Sequence, residues 1–230
     1  MRKPRVRVQE SRYGRELIVD ETFASLYRPG RAATGSVWDA IGAPLLMRAP
    51  AERRRLLLLG VGGGSVARQA RRLAPAAEIV GVELDADVVA AAREAFDLDE
   101  IGLDVIVDDA LSVLRRERRS FDVVFEDVFI GYGDEVHKPD WIPLPGLELA
   151  RKRLRPGGLL VTNTLDEANE IAKHLCGAFA CVVQIEIEGF DNRVMAASDT
   201  PFDARALRGA VAAEPLYAEA LGGLSFKTLA

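Results

Sequence analysis

An unbroken apolar run followed by a glycine-rich turn places the strongest limit on the fold of this chain. Four consecutive leucines at residues 56–59 precede the segment Gly60-Val61-Gly62-Gly63-Gly64-Ser65. A strand without polar alternation is typical of a parallel sheet that is covered on both faces. Glycines allow a sharp turn and a close approach of the backbone to a ligand, and helical spacing resumes over residues 66–73. The segment therefore predicts a strand–loop–helix unit whose helix N-terminus offers free N–H groups to a ligand.

An acidic residue follows the next predicted strand. Residues 78–83 form a second apolar run that ends on Glu83, 19 residues after Gly64. A carboxylate at this position can accept hydrogen bonds from both hydroxyl groups of a ribose. Taken alone, the glycine-rich turn could also be a tight loop that binds no ligand. The turn and the acidic residue after the second strand together predict a ribose-bearing ligand.

The composition restricts the class of protein. A chain of 230 residues fits one domain, or one domain with a small appendage. The 49% of hydrophobic residues supports a substantial core, and the net charge of −5 argues against a nucleic-acid partner. No apolar run approaches the length of a membrane span and no signal segment is recognisable, so we expect a cytoplasmic protein without a membrane partner. Two cysteines and two histidines cannot form a zinc-type cluster, so we expect no metal.

The order of the predicted elements indicates an α/β fold. Strands at residues 6–10 and 15–20 predict a small hairpin, and residues 21–35 predict a loop. Pro44 is expected to kink or split a helix at residues 36–47. Strands and helices then alternate until two closing strands, at 181–187 and 193–197, that pair antiparallel. We predict a Rossmann-like, mostly parallel seven-stranded sheet with an antiparallel last strand. The predicted parts are an N-terminal β-hairpin and loop at 1–35 and a Rossmann-like domain at 36–230.

Candidate site residues lie where the predicted strands end, because ligands of open α/β sheets bind outside the carboxyl ends of the strands. Four successive strands end in acids. Asp109 is also suited to cap the helix that follows it, and one oxygen could cap while the other accepts from an adenine amino group. The candidates are Gly60, Gly62, Gly63, Gly64, Glu83, Leu84, Asp85, Asp108, Asp109, Ala110, Glu126, Asp127 and Asn163.

A long predicted loop at residues 128–145 supplies candidates for the acceptor side. Loops of that length within compact domains are usually functional. Its aromatic and acidic residues suit a flat or singly charged acceptor, although packing is the favoured role of each aromatic taken singly. His137 could act as a base or be merely exposed. The acceptor-side candidates are Trp38, Asp39, Asp127, Phe129, Tyr132, Asp134, Glu135, His137 and Trp141.

Several segments together resemble a known family. These are LLLLGVGGGSVAR, GVELDADVVAAAREAF, VIVDDALSVL, FDVVFEDVF, ELARKRLRPGGLLVTN and NRVMAAS, within a similarity that spans residues 6–198. They resemble the spermidine/spermine synthase family of the class I S-adenosylmethionine-dependent methyltransferase superfamily. The resemblance implies the class I methyltransferase fold and an adenosyl sulfonium ligand, with Glu83 on the ribose, Asp109 and Ala110 around the adenine, and residues 60–64 under the sulfonium tail. It also implies that Asp127 orients or deprotonates the acceptor.

The departures from that family bear on the substrate. Gly63 stands where the synthases carry an aspartate that pairs with the amine of decarboxylated S-adenosylmethionine. An Asp-Pro step after the fourth strand, a glutamine after the hairpin and a Tyr-His-Glu motif are also absent. A polyamine needs spaced carboxylates, and this chain has lost several of them.

Three hypotheses follow from the sequence. The first is methyl transfer from S-adenosylmethionine to a small-molecule acceptor, for which an amine is one candidate, with Asp127 as the catalytic residue and His137 or Tyr132 in reserve. The second is aminopropyl transfer from decarboxylated S-adenosylmethionine to a polyamine. The third is a nucleoside-binding protein without catalysis. By analogy with the family, we expect a homodimer.

Overall fold

The main sheet in this computed structural model, which describes residues 5–230, has eight strands. Residues 1–4, part of the basic N-terminal segment, lie outside the described residues. The strands of this sheet are β4 (Arg55–Leu59), β5 (Glu78–Glu83), β6 (Asp104–Val107), β7 (Phe121–Glu126), β10 (Leu154–Thr164), β11 (Cys181–Ile187), β12 (Arg193–Ser198) and β13 (Leu224–Thr228). Their order is β6-β5-β4-β7-β10-β12-β11-β13, with β12 antiparallel to both of its neighbours.

The leucine strand lies in the middle of five parallel strands, as its composition predicts. Leu56 and Leu58 join the hydrophobic core on one face of the sheet, whereas Leu57 and Leu59 join the core on the other face. All four are buried. Only a sheet covered on both faces accommodates such a run. This burial and the antiparallel β12 confirm the predicted Rossmann-like α/β fold with an antiparallel closing strand.

Helices cover both faces of the sheet. The predicted helix before the leucine strand is split at Pro44, because a 3-10 helix at Ala43–Met47 follows α1. The helices are α1 (Val37–Gly42), α2 (Ser65–Leu73), α3 (Ala86–Ala95), α4 (Ala110–Arg116), α5 (Gly146–Lys152), α6 (Ala168–Ala178) and α7 (Ala204–Ala213).

Two parts of the fold differ from the sequence prediction. The predicted loop at 21–35 is wrong for Thr22–Tyr27, which forms a third strand, β3, antiparallel to β2 (Gly14–Val19). Asp20 and Glu21 take positive φ angles of 48° and 63° and make the tight turn that joins these strands. In the main sheet, β13 adds an eighth strand at the edge beside β11, where Leu224 and Phe226 pack on the core.

The N-terminal sheet, completed by β1 (Val6–Ser11), is joined to the glycine loop by serine side chains. Ser25 Oγ accepts from the backbone N–H of Gly63 at 2.8 Å, and Ser65 Oγ donates to the carbonyl of Leu26 at 2.9 Å. The N-terminal sheet therefore helps to hold the loop in place. The boundary predicted between residues 35 and 36 stays a prediction.

The predicted loop at 128–145 contains a short hairpin formed by β8 (Ile130–Tyr132) and β9 (Glu135–His137). Its turn rests on the N-terminal sheet, because the Gly133 N–H donates to the Asp20 carbonyl at 2.8 Å and the Thr22 hydroxyl donates to the Gly133 carbonyl at 3.0 Å. We call residues 130–137 the β8–β9 hairpin. It connects the end of β7 to the N-terminal sheet.

Residues 5–230 have three further features. No helix there is long and apolar enough to cross a membrane. No group of three His, Cys, Asp or Glu side chains there is placed to hold a metal ion. Cys176 and Cys181 are free thiols, and both are partly rather than fully buried.

Candidate functional site

The glycine loop adopts a conformation that side chains rarely permit. Gly60, Gly62 and Gly64 have φ angles of +84°, +53° and +84°. A Cβ atom at position 60 would lie 2.5 Å from the Asp127 carbonyl oxygen, so this glycine also permits close approach of the chain after β7. Gly63 needs no special backbone angle, but a Cβ atom there would lie 2.8 Å from Ser25 Cβ and 2.9 Å from Phe96 Cδ1.

Glu83 is hydrogen-bonded to the glycine loop. One carboxylate oxygen accepts from the backbone N–H groups of Val61 at 3.1 Å and Gly62 at 3.0 Å. The other accepts from the Asp85 N–H at 3.2 Å. A carboxylate has about four acceptor positions, so capacity remains for a ligand hydroxyl. Glu83 thus fixes the shape of the loop while standing at the end of β5.

Two exposed apolar side chains follow the ends of neighbouring strands. Leu84, after β5, is 64% exposed, and Val107, the last residue of β6, is 49% exposed. Glu83 and Val107 are paired in the register of these strands, so the two apolar side chains lie at the same edge of the sheet. A flat apolar ligand surface such as a purine ring would cover them.

The two acids after β6 have different surroundings. Asp109 caps α4, with Oδ2 accepting from the Ser112 N–H at 2.8 Å, and Ala110 is the buried first residue of that helix. Asp108 forms an ion pair with Arg116, and the hydrogen bond from that guanidinium holds the pKa of Asp108 below its ordinary value. Asp109 therefore keeps an oxygen for a ligand, whereas the Asp108 carboxylate is already bound to Arg116.

Asp127 stands directly after β7 and is held by Asn163, which is itself oriented by Asn192. Asn163 Nδ2 donates to Asp127 Oδ1 at 2.8 Å, and Asn192 Nδ2 donates to Asn163 Oδ1 at 3.1 Å. The second bond orients the Asn163 amide so that its donor faces the carboxylate. Burial raises the pKa of Asp127 to about 6, against the opposing effects of the Asn163 hydrogen bond, the Lys138 charge and the Trp38 indole. A carboxyl with such a pKa can accept a proton near neutral pH.

Trp38 and Phe23 make an aromatic wall on the N-terminal side. Trp38 is buried, and its ring meets Phe23 edge-on with centroids 5.0 Å apart. Phe23 lies on β3, which also contacts the β8–β9 hairpin through Thr22. The neighbouring Asp39 is fully buried and points into the protein, where its oxygens accept from the backbone and side-chain donors of Thr34, Gly35 and Gln69.

Tyr132 and His137, the alternative catalytic candidates, lie on the surface of the β8–β9 hairpin. Tyr132 is 57% exposed, and His137 is exposed with Nδ1 2.8 Å from the Lys138 carbonyl oxygen. Within the described part of the chain, neither side chain hydrogen-bonds to Asp127. Asp134 and Glu135 are exposed on the same hairpin, whereas Trp141 packs against the core beside α5. Within residues 5–230, none of these side chains is thus hydrogen-bonded to the carboxylate that sequence reasoning grouped with them.

A buried ion pair was missed by sequence reasoning. Lys138 Nζ lies 2.7 Å from Glu126 Oε1, and both side chains are almost completely buried. The sequence does carry a signal, because a glutamate at the end of a buried apolar strand requires a cation and Lys138 is the only lysine or arginine in 128–145. Sequence reasoning also missed Ser25 and Asn192, because no sequence pattern distinguishes them from other polar residues.

Comparison with protein families supports the architecture. Residues 56–158 match the family described as "Methyltransferase domain". That segment begins at β4 and ends within β10, so it contains the glycine loop and the acids after β5, β6 and β7.

Curated relatives are polyamine aminopropyltransferases. The chain is 30% identical over 134 residues to a probable polyamine aminopropyl transferase of Bifidobacterium longum, covering 58% of this chain and 28% of the relative. It is 28% identical over 166 residues to a polyamine aminopropyltransferase of Pyrobaculum arsenaticum, covering 67% of this chain and 55% of the relative. The chain thus spans about half or less of the length of these relatives.

Solved structures share the fold over most of the chain. A probable spermidine synthase from Corynebacterium glutamicum superposes with a TM-score of 0.77 at 24% identity, covering 96% of this chain and 86% of that one. Human methyltransferase-like protein 13, solved in complex with SAH, superposes with a TM-score of 0.62 at 22% identity, covering 81% and 90%. The strand order, the glycine loop and these likenesses agree on a Rossmann-like methyltransferase fold, and over residues 56–158 the chain is similar to the methyltransferase domain family.

Proposed function

We propose that this protein is an S-adenosylmethionine-dependent transferase that methylates a small-molecule acceptor, with Asp127 as the residue that orients and deprotonates the nucleophile. The observation that carries the proposal is Asp127 itself, a carboxylate held by Asn163 at the end of β7, with a pKa of about 6. The solved complex of human methyltransferase-like protein 13 with SAH supports an adenosyl ligand.

The residues present fit such a ligand. Leu84 and Val107 offer an apolar surface for the adenine, and Asp109 keeps one oxygen for its amino group. Glu83 would accept from the ribose, and the loop at residues 60–64 would lie under the sulfonium tail. When bound, S-adenosylmethionine supplies an activated methyl group: the acceptor's lone pair forms the new bond to carbon while the electrons of the carbon–sulfur bond stay on sulfur.

The chain's own residues would then align the acceptor and manage its proton. The Asp127 carboxylate would accept a hydrogen bond from the nucleophile and take its proton as the new bond forms. Asn163 and Asn192 keep this carboxylate in one orientation. The β8–β9 hairpin and the Phe23–Trp38 wall would exclude water, which strengthens the electrostatic interactions inside the site.

Packing around Gly63 favours ordinary S-adenosylmethionine over the decarboxylated form. An aspartate at position 63 would place an anion beside the tail of the ligand and repel the carboxylate of S-adenosylmethionine. Ser25 and Phe96 lie within 3 Å of the position that its Cβ would take. Since no side chain fits there, the chain cannot regain this aspartate without moving the N-terminal sheet or α3.

The surroundings of Asp127 also argue against a polyamine acceptor. Glu126 is neutralised by Lys138, and Asp39 accepts from donors inside the protein. Glu167 accepts from the Lys138 N–H at 2.7 Å. These acids therefore do not form the row of free carboxylates that a chain of ammonium groups requires.

Aminopropyl transfer is the second candidate function, and the names of the curated relatives favour it. The two reactions use different sulfonium ligands, so binding can separate them. Calorimetric titration of the purified protein with S-adenosylmethionine and with its decarboxylated form should give the lower Kd for the former. A clear preference for the decarboxylated form would reverse the order of the candidates.

Turnover is tested separately. Incubation with S-adenosylmethionine carrying a labelled methyl group and a panel of small phenols, acids and amines should transfer the label to at least one class of acceptor. Tight cofactor binding without any product across the panel would support a protein that binds a nucleoside and lacks catalysis.

The proposal includes a homodimer formed through the N-terminal sheet. The edge strand β1 has its outer backbone groups free within the described part of the sheet, and Val8 and Tyr13 are exposed there. Light scattering at micromolar concentration should give twice the monomer mass of 25.0 kDa. A monomer mass at those concentrations would rule out a stable dimer.

A further inference from the structure

The Lys138 ammonium occupies a complete binding site for a cation. Its Nζ lies 2.7 Å from Glu126 Oε1 and 2.9 Å from the Val128 carbonyl oxygen, and it stands 4.0 Å from the centroid of the Phe129 ring. A carboxylate, a carbonyl and an aromatic face are the groups that recognise an ammonium ion. We call this set, formed by Glu126, Val128 and Phe129, the ammonium site.

The ammonium site is built into the protein rather than open to solvent. Glu126 is 0% exposed and Lys138 is 4% exposed. The Thr162 hydroxyl donates to Glu126 Oε2, and the Val128 N–H donates to Oε1 at 2.8 Å. These bonds hold the glutamate in place independently of Lys138. The Glu126 side chain would therefore keep its position if the lysine side chain were removed, and a free ammonium could restore the missing positive charge.

The ammonium site adjoins the proposed reaction centre. Glu126 and Val128 are the two chain neighbours of Asp127, and the Lys138 charge acts on the Asp127 carboxylate. A second cation recognised beside the reacting nitrogen is what a diamine or polyamine acceptor would require. The chain itself supplies that cation, from the residue that follows the β8–β9 hairpin.

The lysine side chain has the shape of a diamine end. It consists of four methylene groups and an ammonium, which is also the aminobutyl end of 1,4-diaminobutane. Replacing a buried ion pair by apolar residues is often neutral or stabilising, so stability alone gives little reason to keep this one. We propose that Lys138 is a specificity-determining residue that fills the ammonium site beside Asp127 and so excludes polycationic acceptors. This inference rests on the proposed function, because it assumes that acceptors bind at Asp127.

The test is to remove the side chain and offer free amines. Lys138→Ala should bind n-butylamine and 1,4-diaminobutane, which would raise its Tm by about 3–5 °C at roughly ten times the Kd. The wild type and Lys138→Met should show no such shift, because a side chain already fills the space. 1-Butanol, which lacks the charge, should not stabilise Lys138→Ala. The double variant Glu126→Gln/Lys138→Ala should bind the amines at least about tenfold more weakly than Lys138→Ala. All buffers are matched in ionic strength.

Two results would overturn the inference. One is a folded Lys138→Ala protein that amines do not stabilise. The other is saturable binding of 1,4-diaminobutane to the wild type with a Kd below about 1 mM, measured by calorimetry. The second measurement remains decisive if Lys138→Ala does not fold, because it uses the unmodified protein, and the absence of such binding supports the inference.

Failure of the proposed function would be seen in a different experiment. Binding of S-adenosylmethionine is measured on the same samples without any amine. If the wild type does not bind S-adenosylmethionine, the proposed function is contradicted. The amine titrations stay interpretable in that case, because the ammonium site contains no cofactor-binding residue.

Discussion

Asn163 Nδ2 lies 2.8 Å from Asp127 Oδ1 and donates the hydrogen bond that positions this carboxylate at the end of β7. The interaction stabilises the charged form, yet burial outweighs it, and the pKa of Asp127 stands at about 6 instead of 3.8. Asp127 therefore ionises near neutral pH, as the proposed proton transfer requires.

Asp127→Asn should retain cofactor binding and lose turnover. A residue that takes a proton in the reaction contributes about 10²–10⁴-fold, so we expect kcat to fall by at least about 100-fold. Calorimetry should give a cofactor Kd within about twofold of the wild type. Asp104→Asn, an exposed change at the amino end of β6, should leave both quantities unchanged. Turnover within a few-fold of wild type in Asp127→Asn would remove Asp127 from the mechanism.

The same substitution should make the protein more stable at alkaline pH. Because the folded pKa of Asp127 is raised, the native state holds this proton more tightly than the unfolded state. Its contribution to the free energy of unfolding is fully present below pH 4 and is lost as the pH rises through 6. Asp127→Asn should therefore exceed the wild type by on the order of 2 kcal/mol at pH 8 and match it near pH 4. Urea unfolding at both pH values measures the difference, and equal stability at pH 8 would contradict the raised pKa.

The pH dependence of kcat/KM should report Asp127 and its partner. Activity should rise as the pH increases through about 6, because the carboxylate must be ionised to accept a proton. Asn163→Leu removes a donor to the charged form, so the acid limb should move to higher pH. Asn192→Ala should move it in the same direction by less, because Asn192 acts only through Asn163. Asn169→Leu, an exposed position on α6, should leave the profile unchanged.

Glu83→Gln should weaken cofactor binding through the glycine loop. The carboxylate accepts from the N–H groups of Val61, Gly62 and Asp85, and a glutamine amide has only one oxygen to offer. We expect the Kd for S-adenosylmethionine to rise by at least about tenfold, equivalent to 1.4 kcal/mol. The matched control is Glu94→Gln, an exposed residue of α3. An unchanged Kd in Glu83→Gln would show that Glu83 neither shapes the loop nor contacts the ligand.

Gly63→Ala should destabilise the protein although its backbone angles tolerate alanine. The added Cβ would meet Ser25 Cβ at 2.8 Å and Phe96 Cδ1 at 2.9 Å, and overpacking of this kind costs about 1–3 kcal/mol. Gly177→Ala is the control, since its Cβ would have no neighbour within 4 Å and α6 should gain up to about 1 kcal/mol of helix propensity. Measured by thermal unfolding, the Tm of Gly63→Ala should therefore be lower than that of the wild type, and the Tm of Gly177→Ala should be higher. If Gly63→Ala unfolds at the wild-type temperature, the packing argument against an aspartate there fails.

The strand predictions succeeded where a local pattern matched the tertiary setting. The leucines of β4 are buried on both faces, and the alternating strands and helices assemble in the predicted order. The prediction of a loop failed at β3, because Thr22–Tyr27 gains its strand partner only through the turn at Asp20 and Glu21. The edge strand β13 was missed for a similar reason, since five residues near the end of a chain form a strand only when β11 offers them an edge.

The amino-acid sequence by itself determined the sheet, the glycine loop and the acids after its strands, because these depend on hydrophobic period and short spacing along the chain. Only the tertiary structure decided what each acid does. Glu126 and Asp127 are adjacent and chemically alike in sequence, yet Lys138 neutralises the first while Asn163 holds the second at the end of β7. Such partners come from distant segments, so the charge state and the accessibility of each carboxylate are fixed only when the chain has folded.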